Sequence, residues 1–351
     1  MELQKIIEQI RPADQAAYRA CAARFDRTAK PIGSLGRLEE LLKRIAAIDG
    51  DPGIDLDRRC VLVFCADNGV LAQGVAQSTS DVTAAIGRSL AAGTASVSVM
   101  ARAAGAQVYP VDMGMAQIVP GLLDRRLGPG TADFSQMPAM DYKTAQKGIL
   151  TGIELVCKKK EEGYRIIATG EAGIGNTTTS SAMASVFLRC PPEQVTGRGS
   201  GLTDEGLLRK LRAIRRGIEV NRPDPADPVD VLSKVGGFDL AGMTGAFIGG
   251  AFCRVPVVID GFISAMAALC AVRLCPAVKD YILPSHMTAE PAGRLLMAEL
   301  GLSPVIHGEM RLGEGTGAVA LLPLLDLAAA VYHDAATFDD IQVEAYRPWE
   351  K

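Results

Sequence analysis

The sequence lacks an excess of charge of either sign: 37 basic side chains face 40 acidic ones over 351 residues, a formal net charge of −3. No general electrostatic attraction to nucleic acid or to an anionic membrane follows from such a balance. It also lacks any run approaching the ~18 continuous apolar residues of a membrane span. The N-terminal stretch MELQKIIEQIRPADQ has no apolar signal core, so the expected location is the cytoplasm. Histidine is scarce, with only His286, His307 and His333, and the eight cysteines form no C-x-x-C pair. No zinc pattern emerges from that set; no metal and no cofactor are expected. The cysteines read as buried free thiols in a reducing compartment.

What is present is an ordinary globular composition, 48% hydrophobic and 22% charged, long enough for two domains or for one large α/β domain with an appendage. Short apolar runs recur, each ending in small or polar residues and followed by a helix-like stretch: CVLVFCADNG (60–69), RIIATGEAG (165–173), VPVVIDG (255–261) and, more weakly, DYILPSH (280–286). This rhythm predicts an α/β fold, a Rossmann-like parallel sheet flanked by helices, with ligands bound beyond the carboxyl ends of the strands. Segments 1–25, 35–48 and 317–333 read as helical. They predict a small helical subdomain from 1–49 plus 317–351 beside a large domain over 50–316. Three prolines in 221–232 read as a stiff surface connection, and the run Lys158–Lys160 as a solvated helix end.

Three loops carry chemistry. The first, Gly170-Glu171-Ala172-Gly173-Ile174-Gly175-Asn176-Thr177-Thr178-Thr179, lies between the strand RIIATG and the helical SSAMASVFL. Glycines let backbone approach a ligand closely, and a helix N-terminus offers free N–H groups, so a phosphate suits this loop. It is neither a P-loop nor G-x-G-x-x-G, and a plain helix-capping turn stays open as the alternative. The second, Gly197-Arg198-Gly199-Ser200-Gly201, precedes Lys210, whose ammonium either closes on the same phosphate or is simply solvated. In the third, Met310-Arg311-Leu312-Gly313-Glu314-Gly315-Thr316-Gly317, Glu314 stands between two glycines. It reads either as a general base or as a cap for the helix that follows.

These loops resemble, closely and in order, the nicotinate-nucleotide:dimethylbenzimidazole phosphoribosyltransferase family of cobamide biosynthesis, from about Asp26 to about Ala330. The segments that carry the likeness are TAKPIGSLGRLE (28–39), GEAGIGNTTT (170–179), GRGSGLTDEG (197–206), GGFDLAGMTGA (236–246), PVVIDGFIS (256–264) and MRLGEGTGA (310–318). The resemblance implies displacement of nicotinate from nicotinate mononucleotide by an aromatic base, giving an α-riboside phosphate, with Glu314 as base. It sets Glu171, Gly173, Gly175, Asn176, Thr177, Gly199, Ser200, Gly201 and Lys210 on the nucleotide and phosphate side. Asn68, Ser78, Thr79, Met310 and Leu312 fall on the base side. It also implies a dimer, of identical subunits or with a paralogue.

The sequence departs from the family in one loop above all. Where G-V-S-x-aromatic-P-x-x-V-T is usual, it has Gly74-Val75-Ala76-Gln77-Ser78-Thr79-Ser80-Asp81-Val82-Thr83, without the ring and the proline. Asn68, Ala172, Ala292-Gly293 and His307-Gly308-Glu309 are further departures. Two readings arise: an enzyme that activates another lower-ligand base, adenine or a phenol included, or a low-activity or regulatory subunit of a heteromeric pair. A transferase using phosphoribosyl pyrophosphate would show two adjacent acids after a strand, and Val257–Gly261 offers only Asp260.

Overall fold

The run Arg59–Ala66 is buried on both faces from Cys60 onward, as a central strand of a parallel sheet must be. In the computed structural model it is β1 of a sheet containing β2 (Ala106–Gly114), β3 (Leu123–Asp124), β4 (Ile166–Ala172), β5 (Val257–Ile259) and β6 (Ile282–Pro284). Residues 2–346 are described; Met1 and 347–351, the end of the proposed helical subdomain, lie outside the described residues. The strand order is β3-β2-β1-β4-β5-β6 and each pairing is parallel. This is the doubly wound, Rossmann-like order, and the chain reverses its direction of travel between β1 and β4, where such sheets open a crevice.

Alternate residues of β1 serve two cores. Cys60, Leu62, Phe64 and Ala66 join the larger one. Val61, Val63 and Cys65 join the other. On the larger side the helix Phe238–Cys253 lies against Tyr142–Glu161 so closely that a side chain on Gly245 would strike the backbone of Ile149. On the opposite side, Arg37–Asp49, Ser96–Ala103 and Thr316–Asp334 contribute buried residues. The two ends of the chain meet there: Ala29 N donates to Ala336 O (2.8 Å) and Phe338 N to Arg27 O (3.0 Å).

Several local expectations change. Cys157 and Cys253 are paired in a disulfide, with Cα atoms 5.7 Å apart, because the ends of the two closely packed helices bring them together. Cys21, Cys60, Cys65, Cys270 and Cys275 are buried free thiols and Cys190 is half-buried. The helix Thr316–Asp334 is long and apolar enough to cross a membrane, which a count of continuous apolar residues missed; 56% of its apolar window is buried in the core, Leu321, Leu322 and Leu325 completely. Lys159 is buried rather than solvated, with its ammonium 3.4 Å from the Tyr109 ring centroid and 2.8 Å from Glu162 Oε2. The proline-rich connection becomes helical at Pro228–Val235, where Pro228 takes the first turn and Asp227 accepts from Val229 N and Asp230 N. The N-terminal helical stretch is broken into Leu3–Ile7 and Gln15–Arg27, the second capped by Asp14.

Candidate active site

A cavity of about 310 Å³ opens beyond the carboxyl ends of β4, β5 and β6, lined there by Glu171, Asp260 and His286. Glycine is required where β4 turns into the next helix: a side chain on Gly173 would collide with Ala66 O, and Gly175 has φ +98°. The helix begins at Asn176, so Asn176-Thr177-Thr178 forms its first turn and not part of the loop. Asn176 and Thr177, at its N-terminal end, line the cavity, and the positive end of a helix favours an anion there.

Glu171 and Asp239 are both buried, and the Asn176 amide donates to each, to Asp239 Oδ2 at 3.3 Å. Burial, followed by the charges of Asp239 and Asp260, pushes Glu171 up to about 8. Burial likewise pushes Asp239 up to about 6, against hydrogen bonds from Leu240 N and Asn176. Over the neutral range Glu171 therefore carries a proton in much of the unliganded population. A cation placed beside it favours the ionised form.

Lys210 belongs to the helix Asp204–Asn221 and is fully buried, which rules out the solvated alternative. Its Nζ donates to Thr177 Oγ1 (2.8 Å) and Gly197 O (3.1 Å), tying the first two glycine loops together. Burial holds the ammonium down to about 8, partly opposed by Glu290. Gly199 and Gly201 shape the second loop with φ +53° and +101°.

Glu314 has φ +62° between Gly313 (+89°) and Gly315 (+99°), a tight left-handed run that turns its side chain into the cavity. Its Oε2 accepts from Val97 N at 3.2 Å. The helix that follows is capped from elsewhere: Asp260 accepts from Gly315 N (3.1 Å), Gly317 N (2.7 Å) and Ala318 N (3.1 Å). Glu314 therefore does not cap the helix that follows it; one oxygen takes a first-turn N–H of Ser96–Ala103 while the side chain lines the cavity. The His286 ring packs on Gly317 so tightly that no side chain fits there. Burial lowers His286 and raises Asp260, each effect opposed by the charge of the other.

Of the residues expected from the sequence, Glu314, Glu171, Gly173, Gly175, Asn176, Thr177, Gly199, Ser200, Ser78 and Leu312 line this one cavity. The others stand behind it or beside it. Lys210 supports Thr177. The Gly201 carbonyl accepts from the Gln77 side chain. Asn68 is buried behind the first glycine turn, donating to Ile174 O at 3.4 Å. The Thr79 hydroxyl turns to Asp81 Oδ2 at 3.4 Å, and Met310 O accepts from Ala289 N at 3.1 Å. Sequence reasoning missed Asp239, His286, Glu290 and Arg311, and discounted Asp260. Among the described residues, no group of three or more His, Cys, Asp or Glu side chains is arranged to hold a metal ion.

Comparison with known proteins identifies the family and the fold. A family model described as phosphoribosyltransferase matches residues 10–343. The nicotinate-nucleotide–dimethylbenzimidazole phosphoribosyltransferase of Ruminiclostridium cellulolyticum is 43% identical over 352 residues, covering 100% of both chains. The protein of the same name from Acetivibrio thermocellus is 44% identical over 327 residues, 93% of each chain. The crystal structure of CobT from Thermus thermophilus superposes with a TM-score of 0.89 at 38% identity, covering 94% of this chain and 99% of that one. With near-complete coverage of relatives that share one name and one fold, the chain belongs to the nicotinate-nucleotide–dimethylbenzimidazole phosphoribosyltransferase family.

Proposed function

We propose that this enzyme moves the phosphoribosyl group of nicotinate mononucleotide to an aromatic base, a benzimidazole-type lower ligand of a cobamide, with Glu314 as the proton acceptor and the glycine loops as the phosphate site. The observation that carries the assignment of roles is Glu314, not needed to cap the helix that follows it because Asp260 does so, and lining the same cavity as the two glycine loops. The incoming ring nitrogen attacks the anomeric carbon while the bond to nicotinate breaks. The bonding pair stays on the departing ring, which leaves as a neutral pyridine nitrogen, and Glu314 takes the proton of the incoming N–H. The phosphate lies at the N-terminus of Asn176–Phe187 and the loop 197–201, with Lys210 behind Thr177. Glu171 faces the cationic ring and the positive charge that develops on the ribose.

Nothing favours the regulatory alternative, since the relatives carry the transferase name. We take the enzyme to act in the cytoplasm as a dimer, with 50–316 as the large domain and 1–49 plus 317–351 as the helical one. The hydrogen bonds joining Ala29 to Ala336 and Arg27 to Phe338 support that division.

The test is release of nicotinate and formation of an α-riboside phosphate from nicotinate mononucleotide with benzimidazoles, purines and phenols. Glu314→Gln is expected to lower turnover by roughly 10²–10⁴-fold, with nucleotide affinity kept within a few fold. Near-normal turnover in that variant, or nucleotide binding without nicotinate release in the parent, overturns the reading.

A further inference from the structure

Lys210 is buried with no carboxylate in direct contact, and one oxygen of the half-buried Glu290 has no hydrogen-bond partner. Lys210 Nζ donates to two neutral oxygens, those of Thr177 and Gly197, and among the described residues no carboxylate pairs with it directly. Glu290 Oε2 is buried, accepts no hydrogen bond, and lies so close to Gly197 that a side chain there would strike it. Ammonium and carboxylate thus approach the same glycine, from the helix Asp204–Asn221 and from the segment after β6. Glu290, Thr177, Gly199 and Ser200 line one end of the cavity. This is the end that holds the substrate phosphate in the proposed function, and the role inferred for Glu290 rests on that reading.

We propose that Glu290 is the resident counter-ion of Lys210 and competes with the phosphate of substrate and product for it. In the unliganded enzyme its carboxylate compensates the buried ammonium. A phosphate seated on the glycine loops brings a second anion beside the same cation, so Glu290 opposes it by like-charge repulsion. The groups facing Glu290 are Lys210, Arg311 from the third loop and the Gly199 amide, all of which favour its charged form, while burial disfavours it and raises its pKa. The carboxylate thereby limits affinity for the phosphorylated product, which has to leave before another turnover.

Glu290→Gln is therefore expected to bind nicotinate mononucleotide and its α-riboside phosphate product about 5–10-fold more tightly, with KM and kcat falling together as product release slows. Nicotinate riboside, which has no phosphate, is expected to bind both forms equally. A purely structural role for Glu290 would give weaker binding or none of this selectivity. Inorganic sulfate, a dianion at neutral and mildly acidic pH, supplies a second measurement. Its affinity for the parent is expected to rise as the pH is lowered and the upward-shifted Glu290 takes its proton, and that dependence is expected to flatten in Glu290→Gln. Unchanged or weakened nucleotide binding in Glu290→Gln overturns the proposal. Lys210→Met separates it from its foundation: if this variant loses affinity for phosphate-bearing ligands while Glu290→Gln matches the parent, only the proposal fails. If neither change alters binding, the phosphate assignment itself is wrong.

Discussion

Asp260 is the carboxylate on which the position of Glu314 depends, and its removal has a calculable effect. It accepts three backbone N–H bonds, from Gly315, Gly317 and Ala318, at 3.1, 2.7 and 3.1 Å, and is 2% exposed. Asp260→Ala leaves those donors without their protein acceptor at the inner wall of the cavity. Loss of an N-cap alone costs about 0.5–2 kcal/mol, and each buried unsatisfied donor about 1–3 kcal/mol. Partial relaxation of the loop keeps the sum below the arithmetic total, at ~3–5 kcal/mol, since the buried charge itself was costly to desolvate. At ~2 °C per kcal/mol for a chain of this length, Tm is expected to fall by about 6–10 °C. Asp260→Asn keeps one acceptor oxygen and is expected to lose less than half as much. Because Glu314 immediately precedes Gly315, the freed loop also samples unproductive positions. We expect kcat to fall at least about tenfold, with KM for the nucleotide changed much less. Differential scanning fluorimetry and initial rates of nicotinate release on the parent and the two variants supply the numbers. Asp260→Ala with Tm within about 2 °C of the parent, the shift expected for only ~1 kcal/mol, and an unaltered kcat would refute the reasoning.

Two further predictions concern the whole fold. Glu171 and Asp239 are raised to about 8 and about 6 from ordinary values of 4.5 and 3.8, so the folded chain holds protons that the unfolded chain has released. Their contribution to stability, complete below the ordinary values, is lost as pH rises through 6 and 8; Lys210, held down to about 8, acts above that pH with the opposite sign. Tm is therefore expected to be higher at pH 6 than at pH 8, with a smaller difference in Glu171→Gln; a parent Tm that rises over this interval contradicts it. The Cys157–Cys253 bond links residues 96 apart in sequence. Closing a loop of that length stabilises by ~4–5 kcal/mol in the chain-entropy account, so Cys157→Ser or full reduction is expected to lower Tm by about 8–10 °C, and an unchanged Tm counts against a structural contribution.

The parts of this architecture that were legible from the sequence are those encoded locally. β1, β4 and β5 announce themselves as apolar runs, and the left-handed turns at Gly175 and Gly313–Gly315 as glycine clusters. β2 escaped because Pro110 and Asp112 interrupt its pattern. Yet Pro110 stands in register with Val63, and Asp112 spends its carboxylate on Gly114 N and Met115 N at 2.9 Å each. β3, two residues long, has no pattern to read. Asn176-Thr177-Thr178 looks like loop by composition but is helix, because Gly175 ends the turn and the packing of the following turns decides where helix begins.

The polar residues of the site divide in the same way. A parallel sheet brings the residues at its strand ends to one edge, so a polar residue at the end of a buried strand is a positional signal even when its neighbours say nothing. Glu171 in β4, Asp260 after β5 and His286 after β6 all satisfy it and all line the cavity. Asp260 was discounted because one acid does not make a diphosphate site. Its acceptors are required by a helix more than fifty residues away, and no local pattern carries that. Lys210 did have a signal, in register and not in composition. Gly206, Lys210, Ala213, Gly217 and Asn221 recur at three- and four-residue intervals along one buried stripe of Asp204–Asn221. A lysine on such a stripe has no solvent to reach and needs a partner inside the protein. The direction of that stripe, toward Thr177 and Gly197, is what turns the lysine from a surface charge into part of the anion site.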